Sequence, residues 1–489
     1  MSRITRRRFL TASLATGAAA WLTPRSRVLG ANDDIRIAIV GCGGKGGDHF
    51  KSFRGMKGVR VVAICDPDQS HTGGFIKAAE KDNPGKIEAY QQYQKLLENK
   101  DIDAVVLATP NHWHALGTVW GCQAGKDVYC EKPSSHEIWE GRKAVEAARK
   151  HNRIVQAGTQ HRSGPGLQAA FEYLHKGEIG KILYARGFCY KPRGSIGKVT
   201  APTPIPKGVD YDQWCGPAPM DPLMRKNLHY DWHWVWPTGN GDIGNQGIHE
   251  MDLCRWALNQ PGLPARVFSF GGRFVYDDDA TTPNTLISFY DYKPAPLIFE
   301  VRGLPRKKGK DEPMDAYKNK VRIGIAVICE GGIFMGGAGG GGIYDKDGNP
   351  VMGKDGKPLK FVGESDHRAN FLKAVRSRKK EDLAADIELC HLSSALCHLG
   401  NISYRLGKNA KLEDIAEIAK ADKEAQDSLE RFKAHLTANE ADLLKTPAVL
   451  GPWLTFDPDK EQFTGPLAEE ANKLVTREYR KPYVVPEQV

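Results

Sequence analysis

The glycines Gly41, Gly43 and Gly46 follow an apolar run at residues 35–40 and have the spacing G-x-G-x-x-G. In such a turn the first glycine permits a tight bend, the second lets a pyrophosphate approach the backbone, and the third lets the next helix pack on the strand. A second apolar run ends in Asp66, about twenty residues past the last glycine, where a carboxylate can bind an adenosine ribose. The pattern predicts a dinucleotide site that includes Gly44, and because Asp66 would repel a 2′-phosphate it favours NAD over NADP.

Lys132 follows another predicted strand, in the sequence Glu131-Lys132-Pro133. A cation beside a carbinol oxygen stabilises a developing alkoxide and holds the carbon in position for hydride transfer. The alternative interpretation is a Lys-Pro turn on the surface.

A second candidate for chemistry is His249, in a predicted helix that begins near Asp242 and runs to about residue 258. Residues three, four and seven apart share one face of a helix, so Asp242, Asn245 or Gln246, and His249 can point into one cleft. The ordinary pKa of histidine suits proton transfer near neutral pH. The alternative is a histidine with a purely structural role.

The elements that position these residues alternate between strand and helix from residue 32 to about residue 158, which is typical of a doubly wound parallel sheet. Ligands of such sheets bind at the carboxyl ends of the strands. Polar clusters follow five of the predicted strands, so further cofactor contacts are expected there. The expected contacts are Thr109, Pro110, Asn111, His114, Glu131, Lys132 and Gln160.

Several β-type runs between residues 267 and 334 predict a second, α+β domain with a large open, mainly antiparallel sheet that helices cover on one face. Residues 229–237 hold four aromatic side chains and two histidines, which suits either a carbohydrate-facing surface or ordinary packing. Weaker candidates for substrate contact lie in this half of the chain or just before it. They are Arg162, Tyr190, Lys191, Trp232 and Asp242.

Taken together, these motifs resemble the Gfo/Idh/MocA oxidoreductases, named for glucose-fructose oxidoreductase and inositol dehydrogenase. The resemblance rests on the glycine turn, Thr109-Pro110-Asn111, Glu131-Lys132-Pro133 and the pattern G-x-x-G-x-x-G-x-H-x-x-D at residues 241–252. It implies a Rossmann domain, a nicotinamide next to Lys132, acid-base chemistry at His249 and a homo-oligomer. Many members have aspartate four residues before the histidine. Asn245 stands there in this chain, and an asparagine can orient a substrate but cannot accept a proton.

The N-terminal residues 1–31 resemble a twin-arginine signal peptide, with Thr5-Arg6-Arg7-Arg8-Phe9-Leu10 before a modest apolar stretch. We therefore expect recognition by the twin-arginine export machinery, cleavage before Asn32 and a periplasmic, bacterial location without stable membrane insertion. The alternatives are a short membrane anchor or a disordered basic leader. A cofactor made in the cytosol favours export of a folded, loaded protein.

Length and composition limit the other possibilities. A chain of 489 residues is too long for one ordinary core, and we predict a nucleotide domain at 32–159, a substrate domain at 160–445 and a tail at 446–489. Removing the six arginines of the leader lowers the net charge from +10 to +4, which is too small to argue for nucleic acid. The ten cysteines form no C-x-x-C pair and are expected to be mostly free thiols. No metal site is predicted, and His391 and His398 are expected to serve packing.

The predicted function is hydride transfer between tightly held NAD and a hydroxyl-bearing carbon of a sugar, glycoside or polyol. One alternative is a redox-neutral, NAD-dependent glycoside-cleaving enzyme, in which the cofactor is reduced and then re-oxidised within one turnover. The other alternative is a non-catalytic protein that senses a sugar or a nucleotide.

Overall fold

The computed structural model describes residues 34–82, 87–309, 312–420 and 422–489. The predicted signal peptide at residues 1–31 lies outside these ranges. Within them, the structure contains no helix with the length and apolar character that a membrane span requires.

The first sheet has six parallel strands in the order β3-β2-β1-β4-β5-β6, as expected for a Rossmann domain. Its central strand β1 is buried along its whole length because helices cover both faces of the sheet. The strand order reverses between β1 and β4, and the crevice at their carboxyl ends is the usual ligand site in such sheets. The strands are β1 Ile35–Val40, β2 Val59–Cys65, β3 Glu88–Tyr90, β4 Ala104–Leu107, β5 Asp127–Cys130 and β6 Val155–Ala157, and the helices are α1 Gly44–Arg54, α2 Gln69–Asp82, α3 Tyr93–Glu98, α4 His114–Gln123 and α5 Ile138–Lys150.

The second sheet is large and mainly antiparallel, which confirms the predicted α+β domain. Its path runs β14-β13-β12-β11-β7-β10-β9-β8-β16-β15, and β17 joins it at β8 and pairs with β18. The pair β7–β10 is parallel. The strands are β7 Ile182–Cys189, β8 Arg266–Gly272, β9 Thr285–Tyr290, β10 Leu297–Arg302, β11 Ile323–Cys329, β12 Ile333–Gly337, β13 Gly340–Tyr344, β14 Lys360–Val362, β15 Lys408–Ala410, β16 Ala448–Leu450, β17 Leu454–Asp457 and β18 Gln462–Thr464. The helices of this half are α6 Pro165–His175, α7 Tyr211–Cys215, α8 Gly241–Asn245, α9 Gly247–Ala257, α10 His367–Ser377, α11 Ile387–Arg405, α12 Leu412–Ala419, α13 Lys423–Ala438 and α14 Ala468–Asn472.

Helices lie on both faces of the large sheet rather than on one. The inner face packs against α9 and α11 in the main core cluster. On the outer face, α12 and α13 cover part of β8, β9 and β10. Leu429, Phe432 and Leu436 of α13 are spaced three and four apart, so they form one apolar stripe that packs there. The charged region after residue 410 is divided into two helices, α12 and α13.

The chain returns to the first domain after completing most of the second sheet. Phe371, Leu372 and Val375 of α10 are buried in the same core cluster as residues of β1 and β2. Tyr483 and Val485 of the tail pack in the other core cluster of the first sheet. The packing units are therefore discontinuous in sequence, and the two halves are bound together by more than one crossing of the chain.

All ten cysteines are free and buried, where mostly free thiols were expected. A glycine-rich run forms the hairpin of β12 and β13. The predicted helix from Asp242 to residue 258 is two helices, α8 and α9, which meet at Gln246.

The returning helix α10 provides a test of this architecture. Phe371 is fully buried and its ring lies edge-on to Tyr129 of β5, with the centroids 5.8 Å apart. The substitution Phe371→Ala should lower the free energy of unfolding by about 3–5 kcal/mol, the usual cost of a cavity of this size. Leu444→Ala is the control, because Leu444 is 99% exposed and should change stability by less than about 0.5 kcal/mol. If urea denaturation gave the same change in the free energy of unfolding for both substitutions, α10 would not stabilise the first domain.

Candidate active site

A cavity of about 580 Å³ lies between the carboxyl edge of the first sheet and the second domain. Both halves of the chain contribute to its walls. From the first domain come the glycine turn, Asp66, residues 107–111, Glu131 and Lys132. From the second domain come Gln213, Trp214, His229, Tyr230, Trp232, His233, Asn245 and His249.

The glycine turn has the geometry that a dinucleotide site requires. Gly41 has φ +87°, and a Cβ at Gly46 would lie 1.8 Å from the carbonyl oxygen of Gly41. A Cβ at Gly43 or Gly44, in contrast, would meet no atom within 4 Å, and both residues line the cavity. Because α1 begins at Gly44, its N-terminal N–H groups are available to an anion in the cavity. The residues therefore fit a pyrophosphate.

Asp66 lies at the end of β2 and is almost fully buried. Its carboxylate accepts hydrogen bonds from the backbone N–H of Cys42 at 2.6 Å and of Asp68 at 2.8 Å. Nδ1 of His71 lies 3.2 Å from Oδ2 of Asp66. These contacts fix the carboxylate at the cavity wall, in the position predicted for the ribose contact.

Glu131 is a buried anion that ties the glycine helix to β5. Nε2 of His49 lies 2.8 Å from Oε1 of Glu131, and Nζ of Lys45 lies 3.5 Å from the same oxygen. Burial alone would raise the pKa of Glu131, but the hydrogen bond from His49 and the charges of Lys45 and Lys132 lower it. Glu131 therefore remains ionised and balances the cations at this end of the cavity.

The ammonium group of Lys132 crosses from the first domain to the second. Nζ of Lys132 donates a hydrogen bond of 2.7 Å to the backbone carbonyl oxygen of Asn245. Burial lowers the pKa of Lys132, and the charge of Glu131 partly opposes this. An ammonium has three donors, so two remain for a ligand in the cavity.

His249 lines the same cavity four residues after Asn245. Its Nδ1 atom is buried and has no hydrogen-bond partner among the described residues, so no carboxylate orients the ring. The His161 ring lies 4.8 Å away, centroid to centroid. Burial, followed by the positive charge of Lys132, holds the pKa of His249 well below its ordinary value. The imidazole is therefore neutral at physiological pH and able to accept a proton.

Glu250, the residue after His249, carries little negative charge at neutral pH. Burial raises the pKa of Glu250 to about 8, and a hydrogen bond of 3.4 Å from Gln246 only partly offsets this. Glu250 is thus mostly protonated at pH 7 and does not draw a proton onto His249.

The other predicted site residues fall into two groups. Those that line the cavity are Thr109, Pro110, Asn111, His114, Trp232 and Asn245, together with the glycines, Asp66, Glu131, Lys132 and His249. The ring nitrogens of His114 lie at the carbonyl oxygens of Pro133 and Thr109, so this side chain braces the loops around Lys132. The predicted residues that do not line the cavity are Gln160, Arg162, Tyr190, Lys191 and Asp242.

Three of the predicted substrate contacts already have hydrogen-bond partners within the protein, and their contact with substrate stays a prediction. Arg162 donates two hydrogen bonds of 2.8 Å to Asp252. Tyr190 donates one of 2.6 Å to Glu300. Asp242 accepts two, of 2.8 and 3.0 Å, from Arg193.

Gln160 and Lys191 have no place in the cavity either. Nζ of Lys191 donates a hydrogen bond of 3.3 Å to Gln246, at the junction of α8 and α9.

Sequence reasoning missed most of the outer wall, which comes from residues 213–233. Trp113 Nε1 donates to the carbonyl of Gln213 at 3.0 Å, and Nε2 of His112 lies 3.0 Å from the carbonyl oxygen of Trp214. These contacts hold the segment that contains Gln213 and Trp214 against the first domain. The aromatic stretch is divided: Tyr230 and Trp232 line the cavity, whereas Trp234 is buried. The aromatic composition of this segment was the one sequence signal for a cavity wall. The position of the wall could not be predicted, because it depends on contacts between residues about a hundred apart in the sequence.

Two family models match the chain. Residues 35–159 match the oxidoreductase family with the NAD-binding Rossmann fold, and residues 180–268 match the C-terminal alpha/beta domain of the same family. The two matched segments together are those of the Gfo/Idh/MocA oxidoreductase family. The first of them is an NAD-binding Rossmann domain.

Relatives in this family have different names. An inositol 2-dehydrogenase of Salmonella typhimurium is 32% identical over 158 residues, which are 32% of this chain and 46% of that protein. A 2,7-anhydro-N-acetylneuraminate hydratase of Mediterraneibacter gnavus is 25% identical over 246 residues, 50% of this chain and 54% of that protein. The chain thus spans about half of the length of the curated relatives that it matches.

Two solved structures share the fold. The WlbA dehydrogenase from Chromobactrium violaceum, in complex with NADH and UDP-GlcNAcA, has a TM-score of 0.54 at 20% identity and covers 74% of this chain and 91% of its own. GenD2 from gentamicin A biosynthesis, in complex with NAD, has a TM-score of 0.51 at 16% identity and covers 78% of this chain and 96% of its own.

The glycine turn can be tested with two matched substitutions. Gly43→Ala adds a methyl group where only the cavity is open, so the NAD-free protein should keep its Tm while NAD binding weakens at least about tenfold. Gly46→Ala forces a Cβ against the carbonyl of Gly41 and should lower stability by roughly 1–3 kcal/mol. Bound NAD per chain after dialysis and the Tm measure the two effects. A loss of stability in Gly43→Ala together with unchanged stability in Gly46→Ala would contradict the assignment of this turn as the pyrophosphate site.

Proposed function

We propose that the protein is an NAD-dependent oxidoreductase that transfers hydride between tightly held NAD and a hydroxyl-bearing carbon of a sugar, glycoside or polyol. The observation that carries the proposal is the meeting of Lys132 and His249 at one cavity, although they come from different domains. The hydrogen bond from Lys132 to the carbonyl of Asn245 fixes the ammonium one helical turn from His249.

The two side chains supply complementary chemistry to a hydroxyl group. Bound NAD supplies the hydride acceptor or donor. A neutral His249 accepts the hydroxyl proton, and the free donors of Lys132 stabilise the oxygen as negative charge develops on it. Burial strengthens that electrostatic effect because little water competes for the oxygen.

The wall opposite the glycine turn supports a carbohydrate substrate. Trp232 and Tyr230 line it, and the Trp232 ring stacks on His233 with the centroids 3.6 Å apart. The side chains of tryptophan and tyrosine have apolar ring faces and a polar group at the edge of the ring. A sugar ring likewise has apolar faces and polar hydroxyl groups at its edge. An inositol dehydrogenase among the relatives agrees with a polyhydroxylated substrate.

The second candidate is a redox-neutral enzyme that cleaves glycosides with retained NAD. It is favoured by the relative named as a hydratase, since that name describes no net redox change. It is also compatible with His249, whose ring has no carboxylate partner among the described residues. The intact Glu131-Lys132-Pro133 motif favours ordinary redox chemistry, so this candidate ranks second.

Substitutions of the paired residues test both candidates. Lys132→Met and His249→Asn should each lower turnover by about 10²–10⁴-fold. Both variants should still release NAD on denaturation, because neither side chain holds the adenosine or the pyrophosphate. The assay is a panel of inositols, sugars and p-nitrophenyl glycosides, with and without added NAD. His175→Asn, a substitution on an exposed part of α6, is the control and should keep full activity.

The outcomes separate the alternatives. Glycoside cleavage without added NAD selects the redox-neutral enzyme, whereas reduction of added NAD by a sugar selects the dehydrogenase. Ligand binding without turnover in any assay selects the sensor. Full activity of Lys132→Met or of His249→Asn would contradict the role proposed for that residue.

The pH dependence of kcat/KM provides a separate test of His249. Its pKa lies well below the ordinary 6.5, so the ring stays an unprotonated base as the pH falls through that value. Activity should therefore persist below pH 6.5 and be lost only at a clearly lower pH, within the range where the fold survives. A midpoint near 6.5 would show that His249 is either exposed to solvent or not the base.

We also propose that the twin-arginine machinery exports the protein to the periplasm in its folded, NAD-loaded form, where it remains free of the membrane. The double substitution Arg6→Lys and Arg7→Lys should retain the protein in the cytoplasm, as measured by cell fractionation. Periplasmic protein in that variant would contradict the route. Homo-oligomer formation stays a proposal from the family resemblance.

A further inference from the structure

We propose that Asp68, His71 and His229 bind one divalent transition-metal ion, such as Zn²⁺, at the ribose end of the cavity. Each side chain offers one ligand atom, and the three atoms all lie within 4.8 Å of one another. The sequence analysis predicted no metal site, because Asp68 and His229 are 161 residues apart and belong to different domains. The proposal is independent of hydride transfer.

Two of the separations between the ligand atoms lie on either side of the value expected around a small metal ion. Nε2 of His229 lies 2.9 Å from Oδ2 of Asp68, and Nε2 of His71 lies 3.9 Å from the same oxygen. Ligand atoms at 2.0–2.1 Å from a tetrahedral Zn²⁺ are about 3.4 Å apart, which falls between these two distances. Two imidazoles and a carboxylate suit a borderline ion such as Zn²⁺ better than Mg²⁺ or Ca²⁺, which prefer oxygen ligands.

Hydrogen bonding alone does not explain the arrangement. A His229–Asp68 hydrogen bond accounts for one contact, but Nε2 of His71 is too far from Asp68 to share it. His71 and His229 nevertheless converge, with ring centroids 4.5 Å apart. An ion between them would satisfy both imidazoles and the carboxylate at once.

The surroundings orient the ligand atoms as outer contacts do in metal sites. Nδ1 of His71 lies 3.2 Å from the Asp66 carboxylate, and this contact would hold the proton on Nδ1 when Nε2, which lies on the side of Asp68, binds an ion. Oδ1 of Asp68 accepts the backbone N–H of Ser70 at 2.8 Å, so Oδ2 remains for the two imidazoles. Asp66, His71 and Asp68 thus form a chain of oriented groups within six residues of each other.

The backbone holds His229 near its partners without the ion. Asp210 N–H donates to the carbonyl of Pro67 at 2.9 Å, and Gln69 N–H donates to that of Gly208 at 3.2 Å. These bonds dock the second-domain loop beside Asp68. Three protein ligands leave a fourth tetrahedral position, and His71 and His229 both line the cavity. The ion would therefore fasten the outer wall of the cavity to the nucleotide domain.

Zinc titration of the chelator-treated protein tests the proposal. Isothermal titration should show one tight site per chain, and Co²⁺ should give the visible absorption of a low-coordinate site. His71→Gln and His229→Gln should each weaken Zn²⁺ binding at least about tenfold, and Asp66→Asn should weaken it through loss of the outer contact. His175→Gln controls for adventitious binding to exposed histidines and should change nothing.

The Tm without metal separates ligand loss from misfolding, because a folded variant keeps the metal-free Tm and loses only the rise that Zn²⁺ causes. The proposal is overturned if the wild type binds no Zn²⁺, or if folded His71→Gln and His229→Gln variants bind it as tightly as the wild type. Since no substrate or turnover is involved, such a failure leaves the proposed hydride transfer untouched.

Discussion

The hydrogen bond from the Lys132 ammonium to the carbonyl of Asn245 joins the two domains at the point where chemistry is proposed. A buried cation is costly unless it is paired, and this contact and the nearby Glu131 anion pair the Lys132 ammonium. Glu131 is in turn held by His49 and Lys45 of the glycine helix. The dinucleotide turn, the lysine and the histidine helix are therefore parts of one electrostatic unit.

This unit explains why His249 is neutral before it takes up a proton, and it also makes the imidazole a weaker base than an exposed histidine. The positive charge of Lys132 and the dry surroundings both disfavour a second cation, so the imidazole stays neutral. The usual way to orient such a ring is a carboxylate, and Asn245 cannot provide one. Packing against His161 and the short turn between α8 and α9 hold the ring instead.

The sequence predicted those features that are set by local chemistry. The close approach of Gly46 to Gly41 depends on neighbours in the adjacent sequence, and the geometry of the turn agrees with expectation. The partners of Arg162 and Tyr190, which are Asp252 and Glu300, are far away in the sequence and could not be predicted. A polar or charged side chain can be expected to bind substrate when its partner in the folded protein is not evident from the sequence.

The return of α10 to the first domain and the outer wall of the cavity were also beyond the sequence. Both depend on which apolar faces meet, and several faces of similar character were available. The central claim is that the two domains close over one nicotinamide, with Lys132 and His249 at the same substrate oxygen. A crystal structure of the NAD-loaded protein tests it most directly. The account predicts the nicotinamide ring beside the Lys132 ammonium and the His249 imidazole. A nicotinamide bound away from this pair, or the two side chains turned to opposite sides of it, would contradict the account.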